Sequence, residues 1–316
     1  MSLESKISLL KDRATMLHQA RLFFSSLGLC EVDTPILSSS APIDLHIDVM
    51  TTQMHDGKIG YFHTSPEYAM KRLIAAGIGS IYQISHVYRF GEEGRLHNPE
   101  FTMVEWYKMS CSFEEIIKDT LSFIKLFLKE MPVQEMSYKD LIYKFTGLNY
   151  ITSSTADLCY YIKQQAGEHP SDLHSWDKDT LLQYIVSFFI EPSLGDGNLF
   201  VLSYFPASQA ALSQLTQHQD DLVAERFEIY FQGIELANGY HELTDPIEQK
   251  RRLESANIKR AAIGKEILPI DHHFLESLKK GLPDCSGVAV GFDRLMMLRH
   301  KKNTLAEAIP LAWSEL

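Results

Sequence analysis

Two arginines, Arg89 and Arg294, and three glutamates, Glu228, Glu235 and Glu242, are the residues whose types and spacing best suit chemistry on a phosphate. A planar guanidinium matches phosphate oxygens two at a time, so two arginines reaching one point would clamp a polyphosphate. Each arginine alone is more often a surface ion-pair partner. The joint occurrence carries the weight, with Gly287 and Gly291 leaving room for a nucleotide close to the strand that precedes Arg294. The glutamates recur at an even spacing of seven, with a turn at Gln232-Gly233 between the first two. Paired strands explain that spacing better than a helical heptad and could gather the carboxylates, which repel unless a cation joins them. Hard oxygen donors of this kind suit Mg²⁺, which keeps waters and bridges to phosphates. Taken singly, each glutamate reads as an ordinary solvated residue on the outer face of a sheet.

The elements that must position these groups follow from the hydrophobic pattern. SIYQISHVYRF and EFTMVEWYKM read as two strands joined by a loop in which arginine, glutamate, histidine and asparagine concentrate, bent at Gly91 and Gly94. That is the composition of a ligand-holding loop. In the second strand Phe101, Met103, Glu105 and Tyr107 share one face, so a carboxylate and a phenol stand among apolar neighbours. Upstream, Ile7, Leu10, Ala14, Leu17, Phe24 and Leu27 recur at helical steps and predict an amphipathic helix that Gly28 can end. Residues 45–63 predict a hairpin turning at Asp56-Gly57, and Ser65 with Pro66 opens a helix that Gly77 stops. Residues 112–192 read as a mainly helical insertion. Strands resume at 199–205, and RFEIYFQGIELANGYHEL reads as strand, tight turn, strand, with Asn238-Gly239 as a second bend. Asp245-Pro246 with Glu248 predicts a capping-box start for a helix to Gly264, a shorter helix begins near Asp271, and SGVAVGFDRLMML turns from strand directly into helix. The expected fold class is α+β, an antiparallel sheet flanked by helices, with a helical insertion.

At 316 residues, 45% of them hydrophobic, the chain can bury a sizeable core. No stretch approaches a membrane span, and the mixed-charge start is unlike a secretory signal, so a cytoplasmic protein without membrane attachment is expected. The four cysteines, Cys30, Cys111, Cys159 and Cys285, form no CxxC pair, which points to reduced buried thiols over zinc or disulfides. A net charge of −11 disfavours nonspecific binding to nucleic acid and suits a cationic ligand or metal ions, although it also serves solubility.

Arg89 with HNPEF (97–101) resembles motif 2 of the class II aminoacyl-tRNA synthetases, GVAVGFDRLMML (287–298) resembles motif 3, and EVDTPIL, with Pro35, resembles the end of motif 1. TSPEYAMKRL, NPEFTMVEWY and GIELANGYHELTD have the look of the lysyl-tRNA synthetase core, and nearly the whole chain is covered. With FPASQAAL (205–212) and PDCSGVAVGFDRL (283–295), the chain is similar throughout to the elongation factor P–(R)-β-lysine ligases, paralogues of the lysyl enzymes. The resemblance implies a single class II catalytic domain over residues 1–316 with the insertion at about 112–192. The motif 1 helix begins within about the first ten residues, so neither an N-terminal anticodon-binding domain nor tRNA anticodon binding is expected. It implies a ligase that uses ATP and Mg²⁺ to activate lysine or (R)-β-lysine and transfers it to a lysine of elongation factor P, in a homodimer built on motif 1. A compact synthetase acting on tRNA or a small acceptor is the alternative, as is a non-catalytic regulator. The last is disfavoured because both arginines and all three glutamates remain.

By the same resemblance, Arg89 would meet the α-phosphate and Arg294 the γ-phosphate as the catalytic pair, while Glu228 and Glu235 hold Mg²⁺. Phe101 would stack on adenine, with Asn98, Leu236 through its backbone and Gly291 shaping the nucleotide pocket. Glu105, Tyr107 and Glu242 would surround the side-chain ammonium, and Ser65 and Glu67 would receive the other amino group. The chain departs from the family pattern at two positions. Gly91 stands where many class II enzymes have an adenine-binding glutamate, for which Glu92 would substitute. Ala289 replaces the glycine of lysyl-tRNA synthetases and adds a methyl to the pocket floor, a change worth about 1–3 kcal/mol in selectivity.

Overall fold

The computed structural model describes residues 3–316, and the chain forms two compact units, one made of the residues up to Lys129 and from Glu242 onward, the other of Glu130–His241. The first unit opens with helix α1 (Leu3–Ser26), then β1 (Cys30–Glu31), β2 (Leu37–Ser38), β3 (Thr51–Gln53), β4 (Ile59–Phe62), α2 (Glu67–Ala75), β5 (Ile81–Tyr88), β6 (Glu100–Met109) and α3 (Phe113–Leu128). The second unit contains β7 (Val133–Ser137), α4 (Tyr138–Thr146), α5 (Thr155–Gln165), α6 (Lys178–Ile185), β8 (Leu199–Pro206), β9 (Leu215–His218), β10 (Asp221–Phe231) and β11 (Ile234–His241). The first unit resumes with α7 (Pro246–Ala262), α8 (His272–Gly281), β12 (Cys285–Gly291) and α9 (Phe292–Arg299). Among the described residues no helix is long and apolar enough to cross a membrane.

In the first unit the main sheet runs β1-β5-β6-β12, with β1 parallel to β5 and the other pairs antiparallel, and β2-β4-β3 form a small second sheet. Helix α1 covers the main sheet. Phe24 stacks on Tyr82 at 4.3 Å and packs on Trp106 and Phe123 at 5.1 and 5.3 Å. The buried stripe of α1 is Lys6, Leu9, Arg13, Met16, Ala20 and Phe24; of the face expected from hydrophobic periodicity only Phe24 is buried, and Ile7 is exposed. The reason is that two cations lie on the inner face, each held by hydrogen-bonded partners. Lys6 donates to Glu315 at 2.7 Å and to the Ala306 carbonyl at 2.8 Å. Arg13 pairs with Asp293 and donates to Thr102 Oγ1 at 2.7 Å, and the Thr102 N–H donates to Asp293 at 2.7 Å. That triangle ties α1, β6 and the first turn of α9 together, and so sets where the neighbouring Arg294 begins.

The second unit orders its strands β11-β10-β8-β7, with β9 also on β10 and β7 parallel to β8. The stretch 112–192, expected to be mainly helical, is divided: α3 belongs to the first unit, and the second contributes strand β7 besides its helices. Asn238-Gly239 makes no bend. The two residues continue β11 opposite Glu228 and Phe227, and the turn lies only at Gln232-Gly233, both at positive φ. The 45–63 hairpin is shorter than expected, only β3 and β4 pairing about Gly57. Its upstream residues are held by side chains instead: Arg260 Nη1 donates to the carbonyls of Asp44 and Ile47 at 2.6 and 2.9 Å. Asp245 caps α7 through the N–H groups of Ile247 and Glu248, and Glu248 pairs with Arg251 and Arg252, so the box is half made. All four cysteines are free thiols; Cys111 and Cys285 are buried, whereas Cys30 is exposed.

Arg13→Met removes the partner of a carboxylate that is almost wholly buried, and breaking such a pair costs about 3–5 kcal/mol. Urea unfolding is expected to show a loss of that size, and a loss below about 1 kcal/mol would mean that the triangle does not anchor α1.

Candidate active site

Strand β6 carries the centre of the site because its alternation puts Glu105 and Tyr107 on one face, and β12 runs beside it with Ala289 opposite Glu105 and Gly287 opposite Tyr107. Glu105 is buried. Its Oε1 accepts from the Tyr107 hydroxyl at 2.6 Å and its Oε2 from Ser65 Oγ at 2.8 Å. Ser65 Oγ accepts in turn from the Glu67 N–H at 3.1 Å, which opens α2. Glu67 Oε1 lies 2.6 Å from Lys71 Nζ, and that ammonium lies 2.5 Å from Glu242 Oε2. Ser65, Glu67, Glu105, Tyr107 and Glu242 therefore form one connected cage, with Lys71 at its base. Sequence reasoning passes over Lys71. The available signal is its spacing of four from Glu67, which on a helix ordinarily marks a solvent-exposed pair.

Burial, then the Glu67 charge, push the Glu105 carboxyl up to about 7. Burial also raises Glu242, opposed by Lys71 and reinforced by Glu67. Burial would neutralise Lys71, yet Glu242 and Glu67 together hold it as an ammonium. The Tyr107 phenol is driven far above its ordinary range by burial and the surrounding carboxylates, so it remains a hydrogen-bond donor. Three carboxylates against one resident ammonium leave an unmet demand for positive charge.

Gly287 is fitted to this cage. A Cβ there would stand 2.4 Å from two Tyr107 ring carbons and 2.5 Å from Glu242 Oε1. The space at Gly287 thus belongs to the carboxylate cage, not to a nucleotide. At Gly291 a Cβ would make only ordinary contacts, 3.6–3.7 Å from the stem of Arg294. On β5, Gln83 lies opposite Glu105, and its Oε1 accepts the Thr34 N–H at 2.9 Å. Its Nε2 and the nearby Ser85 Oγ are buried without partners, which is what a wall that meets a polar ligand leaves unspent. The sequence reading missed this pair as well.

The second cluster of the first unit gathers about His97. Arg294 Nη2 lies 3.1 Å from His97 Nε2, and the His97 ring is held below its ordinary value by burial, then by Arg294, with Arg89 adding to the effect and Glu92 opposing it. Both arginines thus bear on one imidazole. The Arg89 guanidinium sits over the Phe101 ring at 5.1 Å, is 3.6 Å from Glu92, and keeps a buried Nε–H without a partner. Gly91, at φ +74°, bends the loop that brings Glu92 back toward Arg89. Asn98 has its amide committed at both ends, donating to the Glu100 carbonyl at 2.6 Å and accepting the Trp313 N–H at 3.0 Å, so it holds the loop rather than offering its side chain.

In the second unit Glu228 is buried on β10. It accepts from Arg226 Nη2 at 2.6 Å, from the Tyr230 hydroxyl at 2.5 Å and from Asn238 Nδ2 at 3.3 Å. Arg226, unforeseen from the sequence, lies over Phe205 at 4.5 Å. Glu235 stands opposite Tyr230 across a bulge, followed by the buried Leu236. The seven-residue series is therefore split in role, since Glu242 opens the first unit's return and pairs with Lys71. Among the described residues no group of three or more His, Cys, Asp or Glu could hold a metal ion by itself. A pair of carboxylates fits Mg²⁺ only in the manner of an ion that takes its remaining ligands from water and phosphate.

Gly287→Ala is expected to lower stability by about 1–3 kcal/mol through overpacking. Denaturant unfolding checks it, and a variant of parental stability would show that the cage has slack.

Residues 2–314 match the family described as tRNA synthetases class II (D, K and N). The chain is 40% identical over 310 residues to the elongation factor P–(R)-β-lysine ligase of Pasteurella multocida (strain Pm70), covering 96% of this chain and 95% of that protein. It is 43% identical over 300 residues to the elongation factor P–(R)-β-lysine ligase of Vibrio atlanticus (strain LGP32), covering 92% and 91%, and 41% identical over 305 residues to that of Edwardsiella ictaluri (strain 93-146), covering 95% and 93%. With the two arginines about His97 and the carboxylate cage on β6, the chain belongs to the class II tRNA synthetases of the D, K and N type.

Proposed function

We propose that this protein is an ATP-dependent ligase that activates (R)-β-lysine as its adenylate and transfers it to a lysine side chain of elongation factor P. The observation that carries the reading is the cage of Glu67 with the buried Glu105, Tyr107 and Glu242, whose three carboxyl groups gather about the single ammonium of Lys71, in a chain whose relatives bear that name. A desolvated ammonium is costly unless carboxylates and acceptors surround it, so such a cage selects a substrate carrying amines.

In the first step a carboxylate oxygen of the amino acid bonds to the α-phosphorus of ATP while the bond to the β-phosphoryl oxygen breaks and pyrophosphate leaves. A carboxylate is a nucleophile at neutral pH, so the demands are positioning and charge neutralisation, and no serine or cysteine is needed. Arg89, with its unspent Nε–H, takes the α-phosphate, and Arg294 at the start of α9 takes the γ-phosphate. Phe101 offers a face to adenine, with Gly291 and the Leu236 backbone at the nucleotide. Glu228 and Glu235 are the residues that would hold Mg²⁺, whose chemistry is to neutralise phosphate charge. On the amino-acid side Glu105, Tyr107 and Glu242 hold the side-chain ammonium, Ser65 and Glu67 the β-amino group, and Ala289 forms the floor. In the second step the acceptor amine nitrogen bonds to the acyl carbon and AMP leaves. A second copy of the chain packs on α1, whose Ile7 and Leu22 are exposed at 48% and 50%, to give a homodimer in the cytoplasm.

Intact-mass measurement of elongation factor P after incubation with the enzyme, ATP, Mg²⁺ and each lysine isomer tests the reading. A gain of one lysyl residue, greatest with (R)-β-lysine, is expected. An unmodified factor alongside lysine esterified to tRNA would refute it.

A further inference from the structure

Lys71 is wholly buried on α2, and its Nζ touches two carboxylates that come from distant parts of the chain, Glu67 one helical turn earlier and Glu242 at the return from the second unit. It also lies 5.8 Å from the centre of the Tyr107 ring. A lysine meant only to offset surplus charge would be unnecessary if one of the glutamates were neutral, and burying an ammonium is expensive even when it is paired. Its position has a specific consequence. In our functional reading, on which this inference rests, Glu67 receives the β-amino group and Glu242 the side-chain ammonium, so Lys71 bridges the two amine subsites.

We propose that Lys71 is a positioning and specificity-determining residue that locks Glu67 and Glu242 into one geometry and sets how many ammonium groups the site accepts. Glu67, Glu105 and Glu242 supply three carboxyl groups, of which Glu67 and Glu242 share the Lys71 ammonium. When incoming cations ionise all three, they exceed Lys71 by two charges, which matches a substrate with two ammonium groups held at a fixed separation. A monoamino acid leaves a buried carboxylate without a cation, and a misplaced second amine meets no carboxylate, so both are refused. Because the resident ammonium contacts both subsites, displacing either carboxylate disturbs the other, and the two amines are read together.

The test is pyrophosphate exchange by the full-length parent, Lys71→Met and Lys71→Arg, with (R)-β-lysine and with 6-aminohexanoate, which lacks the second amine. Lys71→Met is expected to raise the KM for (R)-β-lysine at least tenfold, to leave the KM for ATP within about twofold, and to narrow the preference over 6-aminohexanoate at least tenfold. Lys71→Arg, which keeps the charge, should fall between parent and Lys71→Met. Parental KM and preference in Lys71→Met would overturn the proposal. So would a uniform loss for both substrates that Arg does not relieve, because that is the signature of a merely structural lysine. If Lys71→Met does not fold, Lys71→Arg decides: a selective threefold or greater rise in amino-acid KM supports the proposal, and parental values overturn it. A parent that exchanges pyrophosphate with no lysine isomer would instead overturn the functional reading.

Discussion

Gathering three carboxyl groups, two of them buried, around one ammonium is the constraint on which the rest of the structure depends. Each ionised group taken from water must find partners, and the partners must stay in place, because a shift of a few tenths of an ångström leaves a charge unsolvated. The cage answers with hydrogen bonds from groups that cannot drift. Tyr107 is in the middle of a paired strand, Ser65 is fixed at a helix start, and Lys71 is held between two elements. The result is a site that is chemically incomplete, and in the proposed function a diammonium substrate supplies the missing charge.

The surrounding fold serves that incompleteness. The register of β6 with β12 sets Gly287 against Tyr107, and a glycine is required there because the Tyr107 ring and Glu242 occupy the position of a side chain. The same two strands lead to Arg294 and the His97 cluster. Thr102 on β6 and Asp293 on α9 are joined through Arg13, so the helix that presents Arg294 is tied to the strand that presents Glu105. Activation requires the carboxylate of the amino acid and the triphosphate to meet at one point, and a shared strand is a rigid way to hold both ends.

Much of this was legible in the chain. The two-residue period of EFTMVEWYKM placed Glu105 and Tyr107 together, and three motifs in order gave the family and the antiparallel sheet. What was not legible shares one cause, the burial of charge. Lys6 and Arg13 made the inner face of α1 look polar, so hydrophobic periodicity selected the wrong stripe. Lys71 and Arg226 drew no notice in the sequence, yet each pairs with a buried glutamate, Glu242 and Glu228. A pattern of apolar residues cannot reveal an ion pair whose second member lies far along the chain. Asn238-Gly239 misled for a related reason: a strong turn signal was overridden by pairing of Asn238 with Glu228 across the ladder.

In the proposed function the cage stays short of positive charge, with Lys71 its resident ammonium, until the substrate arrives, and the titration of Glu105 followed by carboxyl ¹³C NMR tests this most directly. A carboxyl raised in the folded protein takes up more protons than in the unfolded chain, so its contribution to stability is present at acid pH and is lost as pH rises through its folded midpoint. The account predicts a midpoint near 7 without amino acid, as burial dictates, and a fall of at least about one unit when (R)-β-lysine saturates the site. An ordinary glutamate midpoint near about 4.3 that the amino acid does not move would contradict it.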